Sequence, residues 1–252
     1  MTLITAACGG SDDQQPEPQA QVSPLSCAEM ADRTVSADQI GLPTSGARVT
    51  AAQVVAASGT GAAARPEHCL VSGEIAPVDS TAPSIRFNLA LPTAWNTKAL
   101  MLGGGGLDGT VPNVVGNVSA GPTNQPLPIA RGYAVFGSDS GHQAGPLASL
   151  DASFGVNDEA LHNYNSGDAL KKTRDVALML IEARYAEKVT RSYFSGGSTG
   201  GREALTAIQR WPADWDGAIA WYPARAGMVS ILGGHRMSRA LAQPGAYPNA
   251  AE

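Results

Sequence analysis

The residues with the clearest chemical potential are a serine and the glycines around it, in the run GGSTGG at residues 196–201. The spacing Gly-x-Ser-x-Gly is typical of a nucleophile elbow, a tight turn that exposes a serine hydroxyl at the end of a strand. Gly196, Gly200 and Gly201 permit such a turn, because a Cβ atom there would collide with neighbouring backbone. We therefore predict that Ser198 is a nucleophile. The alternative is a Gly- and Ser-rich loop, since this short pattern also occurs by chance.

The elements on either side fit the elbow. Residues 191–195 (RSYFS) are aromatic and hydroxyl-rich, which is typical of a short buried strand. Residues 199–210 place apolar side chains at helical spacing. The N–H of Thr199 would then lie at a helix N-terminus, where free N–H groups and the helix dipole favour an oxyanion.

A second oxyanion donor is expected from a glycine-rich loop after an early strand. Four consecutive glycines at residues 103–106, directly after the apolar run at 99–102, are well placed to supply it. Gly104, Gly106 and Gly109 also match the Gly-x-Gly-x-x-Gly pattern of dinucleotide sites. A Rossmann unit needs a helix next, whereas a loop follows here, so we discount nucleotide binding.

A serine hydroxyl becomes a good nucleophile only when a base removes its proton and an acid orients that base. In α/β hydrolases the chain order is Ser, then Asp or Glu, then His. His235 is the one histidine after Ser198, and we favour a surface role for it. Glu203 falls inside the predicted helix, and Asp214 and Asp216 fall in the turn after it, on the side away from the site. The sequence therefore identifies neither the triad Asp nor the triad His.

His142 lies in the polar turn that follows a predicted strand at residues 133–137. It could face the cleft, but Asp139 and His142 are more simply explained by local hydrogen bonds within their own turn.

Strands that alternate with helices favour an α/β fold. We predict an α/β-hydrolase fold whose mostly parallel sheet has helices on both faces. The predicted strands are 84–91, 99–102, 133–137 and 218–221, and a long helix is predicted at 168–185. Residues 27–73 are weakly patterned, with a capping-type start at Thr50. Residues 233–252 are typical of a helix fragment and loop, so we expect the sheet to stop before its C-terminal strands.

The composition and charge of the chain exclude several classes of protein. The 252 residues are 43% hydrophobic and 15% charged, as in an ordinary globular domain. The net charge of −5 provides no basic surface for nucleic acid. No apolar run approaches the length of a membrane span. Cysteines and histidines do not cluster at metal-ligand spacing, so we expect neither a metal site nor a cofactor.

The N-terminus is similar to the end of a bacterial lipoprotein signal. A short apolar run at residues 2–7 leads into Cys8, which would carry the lipid, although no basic region precedes it. An ordinary disordered terminus is the alternative. We assign residues 1–26 to a truncated signal and tether and residues 27–252 to the catalytic domain. Cys27 and Cys69 would then remain as a pair, which suits a disulfide in an oxidising compartment or two buried thiols.

Four blocks of the chain resemble the tannase/feruloyl esterase family of α/β hydrolases. They are residues 66–73 (PEHCLVSG), 91–109 (from LP through WN to the four glycines and DG), 132–142 (from GYA to DSGH) and 193–224 (from YF through the elbow to PA). Together they cover about residues 27 to 240, and the fourth block is specific.

The resemblance implies a secreted or periplasm-facing carboxylic ester hydrolase that takes small esters of phenolic or benzoic acids. It implies that Ser198 is the nucleophile and that the backbone N–H groups of Thr199 and Gly106 form the oxyanion hole. It also implies a disulfide between Cys27 and Cys69.

Two features depart from the family pattern. Family members carry a cysteine before the nucleophile, bridged to a cysteine beside the catalytic histidine, whereas this chain has Gly197. Family members also continue into a lid domain, which often binds calcium, and then to the triad Asp and His. We therefore expect a longer natural enzyme. A catalytically inactive, hydrolase-like binding lipoprotein and a peptidase are the alternatives.

Overall fold

The structure is a computed structural model of the chain, and it describes residues 23–225 and 227–246. One sheet forms its centre. The strands are β1 (Thr34–Val35), β2 (Ala47–Val55), β3 (His68–Ile75), β4 (Ile85–Pro92), β5 (Lys98–Leu102), β6 (Ala134–Ser138), β7 (Arg191–Gly197) and β8 (Gly217–Trp221). The helices are α1 (Asp158–Asn165), α2 (Asp168–Tyr185), α3 (Thr199–Arg210) and α4 (Gly227–Leu241).

The eight strands lie in the order β1-β2-β3-β4-β6-β5-β7-β8. Strands β1 to β4 form an antiparallel half, and β4 also runs antiparallel to β6. Strands β6, β5, β7 and β8 form a parallel half. The predicted α/β-hydrolase fold is confirmed, but the sheet is less parallel than expected, with four antiparallel and three parallel pairs.

The two faces of the sheet are covered differently. Helices α2 and α3 pack on one face, where Leu180 and Ala204 join a buried cluster with Phe194. The other face is covered by residues 103–133, whose Ile129 packs in a second cluster. We expected helices on both faces, and among the described residues the second face carries the short 3-10 turn Ile129–Arg131 within otherwise irregular chain. The segment that covers the second face is rich in glycine and proline, which do not sustain an α-helix.

The antiparallel half was the least predictable region. Thr50 does not begin a helix; it lies in β2, which pairs along its length with β3. Most side chains of β2 are at least partly exposed, so its sequence carries no clear alternation of apolar and polar residues. The pairing partner, and not local preference, decides this strand.

A disulfide joins Cys27 to Cys69, with Cα atoms 5.5 Å apart and 42 positions between them in the sequence. The predicted bridge is confirmed. It anchors the short 3-10 turn Ala28–Met30 to β3, and the Met30 side chain is fully buried beneath it.

Helices α2 and α3 begin and end where the sequence predicted. Helix α1 was not predicted, and α4 begins earlier than the fragment expected from residue 233. No described helix has the length and apolar character needed to cross a membrane. Cys8 lies outside the described residues, so lipidation stays a prediction.

Candidate active site

The parallel half contains a topological switch point. The chain leaves β5 for β6 on one side and then returns to β7 on the other side of β5. In such sheets ligands bind in the crevice outside the carboxyl ends of the strands at this point. Leu102 at the end of β5 pairs with Ser195 of β7, so the glycine loop (residues 103–106) and the elbow emerge side by side.

Ser198 follows β7 in a strained backbone conformation, with φ 56° and ψ −119°. Non-glycine residues rarely adopt positive φ values, and they do so where the surroundings enforce them. Here the Ser198 N–H donates to the Trp221 carbonyl at 3.1 Å, and the Ser198 carbonyl accepts from Arg202 at 3.1 Å and Ala224 at 2.9 Å. The half-buried serine is therefore held in the turn by backbone bonds from two directions.

The glycines of the elbow are explained by backbone crowding. A Cβ atom on Gly196 would lie 2.3 Å from the Gly200 carbonyl oxygen, and one on Gly201 would lie 2.5 Å from the Trp221 carbonyl oxygen. Both contacts are with backbone atoms, which cannot move without distorting the turn. The turn therefore requires glycine at both positions.

The elbow and the glycine loop are tied to each other. The Gly200 N–H donates to the Gly104 carbonyl at 3.1 Å, and Thr199 Oγ1 donates to the Gly106 carbonyl. In the part of the chain that the structure describes, no acceptor is found for the N–H of Thr199 or of Gly106. The two residues predicted for the oxyanion hole are thus neighbours with free donors.

A tyrosine supports the loop from α1. The Tyr164 hydroxyl donates to the Gly106 carbonyl at 3.4 Å, and the Arg202 guanidinium lies 4.5 Å from the centre of the Tyr164 ring. Burial raises the pKa of Tyr164, so its hydroxyl stays protonated and remains a donor. The Gly106 carbonyl therefore has two donors, which fix the peptide group between Gly106 and Leu107 and so restrain the loop next to the Gly106 N–H.

The histidines of the described residues do not contact Ser198. His68 Nδ1 lies 2.8 Å from the Pro66 carbonyl, and His162 Nδ1 lies 3.4 Å from Ser166 Oγ. His235 is exposed on α4.

His142 is buried and stacks on Phe154, with ring centres 3.6 Å apart. Burial lowers its pKa and favours the neutral ring. Asp139 does bind its own turn, since its Oδ1 accepts from the Gly141 N–H at 3.1 Å. The local hydrogen bonds expected of this turn thus form at Asp139, while His142 is fixed by stacking.

The acidic residues after Ser198 lie where the sequence placed them. Asp216 accepts from the Ser192 N–H at 2.8 Å, at the amino end of β7 and so away from the crevice. Asp214 pairs with Lys171 at 3.0 Å. Glu203 is buried inside α3, where it contacts Asp108 through Ser140. Sequence reasoning missed this last cluster, because its members come from three separate segments without a shared motif.

No group of three or more His, Cys, Asp or Glu side chains within residues 23–225 and 227–246 is arranged to hold a metal ion.

The comparisons with known proteins agree on one family. A sequence profile described as tannase and feruloyl esterase matches residues 69–252. An uncharacterized esterase of Agrobacterium fabrum is 45% identical over 215 residues, which is 85% of this chain and 38% of that protein. The mono(2-hydroxyethyl) terephthalate hydrolase of Piscinibacter sakaiensis is 36% identical over 171 residues, or 64% of this chain and 28% of that protein.

The solved structure of feruloyl esterase B from Aspergillus oryzae superposes with a TM-score of 0.64 at 23% identity. The match covers 79% of this chain and 39% of that structure, and it supports the fold. The chain thus spans well under half the length of these relatives. It belongs to the tannase and feruloyl esterase family.

Proposed function

We propose that the protein is a serine carboxylic ester hydrolase that acts through an acyl-enzyme. The observation that carries this proposal is the strained Ser198 at the switch point, beside the N–H groups of Thr199 and Gly106, for which the described residues provide no acceptor. The Ser198 oxygen attacks the ester carbonyl carbon, and the two N–H groups stabilise the negative charge that forms on the carbonyl oxygen. The alcohol leaves, and water then cleaves the acyl–Ser198 bond to release the acid.

The reaction needs a base for the Ser198 proton. No described histidine is hydrogen-bonded to Ser198, and the acids that follow it in the chain are engaged elsewhere. We therefore place the triad His and Asp outside the described residues. The length of the Agrobacterium fabrum relative, of which this chain covers 38%, is consistent with that placement.

The substrates we propose are small esters of aromatic acids of phenolic or benzoic type. The names of the relatives support this class, since they include a mono(2-hydroxyethyl) terephthalate hydrolase and probable feruloyl esterases. The Cys27–Cys69 disulfide supports export to an oxidising compartment, where such bridges persist. Cys8 would hold a lipid anchor in that setting.

The test is acylation of Ser198 in the complete gene product. A fluorophosphonate probe should add one label at Ser198, and Ser198→Ala should abolish both labelling and hydrolysis of an aromatic methyl ester. Ser195→Ala is the matched control, because Ser195 lies on the strand that leads into the elbow but is only 3% exposed. Turnover that persists in Ser198→Ala, or binding of an ester without labelling of Ser198, would contradict the proposal.

A further inference from the structure

Three polar side chains meet in the interior behind the glycine loop. Asp108, Ser140 and Glu203 are 1%, 2% and 3% exposed. Asp108 follows the glycine loop by two residues, Ser140 lies in the turn after β6, and Glu203 lies in the second turn of α3. Ser140 Oγ lies 2.8 Å from Glu203 Oε1 and also within hydrogen-bond reach of Asp108 Oδ2. One hydroxyl thus bridges two buried carboxyl groups.

The chemistry of the bridge requires an additional proton. A serine hydroxyl has one hydrogen to donate, so it can satisfy one carboxylate only. If both carboxyl groups were ionised, Ser140 Oγ would contact an oxygen of one carboxylate with no hydrogen between the two atoms. Two negative charges would also lie close together in the protein interior. A proton on one carboxyl removes this conflict, because that carboxyl then donates to Ser140 Oγ.

The surroundings decide which carboxyl keeps the proton. Glu203 Oε2 accepts from the Gly104 N–H at 3.2 Å and Glu203 Oε1 accepts from Ser140 Oγ at 2.8 Å, so both oxygens of this carboxylate have a donor. Asp108 Oδ1 has no hydrogen-bond partner in the described structure. The protonated group is therefore Asp108, which donates to Ser140, which donates to Glu203, which accepts from Gly104.

The pKa of Asp108 agrees with this order. Burial, and then the nearby charge of Glu203, raise the pKa of Asp108 to about 10. Two further titratable groups lie near the pair, one on α3 and one on α1. Arg202 of α3 opposes the shift through its positive charge, and Tyr164 of α1 is a neutral phenol.

We propose that Asp108, Ser140 and Glu203 are positioning residues of the oxyanion hole, which hold one proton between two carboxyl groups and so bind the glycine loop to α3. This inference rests on the proposed esterase function. The shared proton keeps the pair at a single negative charge. A second charge beneath the loop would disfavour the oxyanion that the Gly106 N–H is placed to stabilise, and it would break the link from Ser140 to one of its partners.

The proton can be observed without a substrate. Infrared spectra of the complete protein at about pH 8, about four units above the ordinary pKa of a carboxyl group, should show the carbonyl stretch of a protonated carboxylic acid. This band should disappear in Asp108→Asn and persist in Asp175→Asn, a matched replacement of a buried acid on α2 that belongs to another network. A wild-type protein without the band, or a band that survives in Asp108→Asn, would overturn the proposal.

Kinetics test the positioning role. Ser140→Ala should lower kcat by about 10- to 100-fold with little change in KM, less than the loss of an oxyanion donor itself. Ser140→Gly suits the positive φ of 65° at this position but also lacks the hydroxyl, so it should lose kcat to the same extent. A folded Ser140→Ala with unchanged kcat would overturn the role.

Asp108→Asn gives a second test, because an Asn N–H can still donate to Ser140 but has no proton to lose. The wild-type kcat should decline toward about pH 10, where Asp108 ionises, and the variant should lack that decline. An identical decline in both would overturn the proposal. If no ester is hydrolysed at all, the esterase function fails, while the infrared band still reports whether the proton is shared.

Discussion

The antiparallel half of the sheet (β1 to β4) and the parallel half (β6, β5, β7 and β8) differ in what their strand ends can do. In the antiparallel half, neighbouring strands end at opposite edges. In the parallel half the carboxyl ends of β5 and β7 meet at one edge, and the N-terminus of α3 faces the same crevice. Within the described residues, the proposed nucleophile Ser198 and the N–H groups of Thr199 and Gly106 therefore lie together in the parallel half. The antiparallel half carries the disulfide and extends the core.

This comparison predicts that changes in the parallel half act on turnover and that changes in the antiparallel half act on stability. The largest effect is expected for Gly196→Ala, because its Cβ would lie 2.3 Å from the Gly200 carbonyl oxygen. Displacement of the elbow should lower kcat/KM by about 100-fold or more. Gly217→Ala is the control, since a Cβ at this first residue of β8 would lie at the ordinary contact distance of 3.4 Å from the Tyr193 ring. If the two variants had the same kcat/KM, the elbow would tolerate the displacement that the added Cβ causes, which would contradict the prediction.

The next largest effect tests the antiparallel half. Replacement of both Cys27 and Cys69 by serine should lower the free energy of unfolding by about 2–4 kcal/mol, because the bridge restricts the unfolded chain. The kcat of the molecules that remain folded should be unchanged. Urea unfolding measures the free energy of unfolding. Ester turnover, divided by the number of active sites found by titration, gives the kcat per folded molecule. A large fall in kcat per folded molecule would show that the two halves are not independent.

A smaller effect is expected at the bond between the elbow and the glycine loop. Thr199→Val removes the hydroxyl that donates to the Gly106 carbonyl. We expect about a 10-fold lower kcat at nearly constant KM, because the oxyanion donor is less well oriented. Thr206→Val is the matched control on the same helix, where the hydroxyl donates to the Arg202 carbonyl at 3.0 Å. A comparable loss in both variants would assign the effect to α3 as a whole.

The smallest effect concerns the junction between the halves. Asp139 follows β6 and accepts from the Arg86 N–H of β4 at 3.0 Å. Burial raises its pKa from the ordinary 3.8 to about 6. Between these values the folded state keeps a proton that the unfolded state loses, so the free energy of unfolding should decrease as pH rises across this window. Urea unfolding over that range should show a flatter dependence in Asp139→Asn, and an unchanged slope would contradict the assignment.

Local patterns predicted the elements that build the crevice. The run at residues 196–201 predicted the elbow, since a turn of this kind depends on a few consecutive residues and on glycine where backbone approaches backbone. Helices α2 and α3 were predicted because each buries a face with helical periodicity. The disulfide followed from cysteine count and family resemblance, while the short 3-10 turn Ala28–Met30 that it anchors did not.

The sequence by itself determined the turn at Ser198, the helices α2 and α3 and the α/β class of the fold, because these depend on contacts between near neighbours in the chain. Only the tertiary structure decided the pairing of β2 with β3, the irregular cover over one face and the meeting of Asp108, Ser140 and Glu203. The Ser140 hydroxyl is 32 positions from Asp108 and 63 from Glu203. Such contacts arise when the order of strands brings distant segments together, and no local pattern records that order.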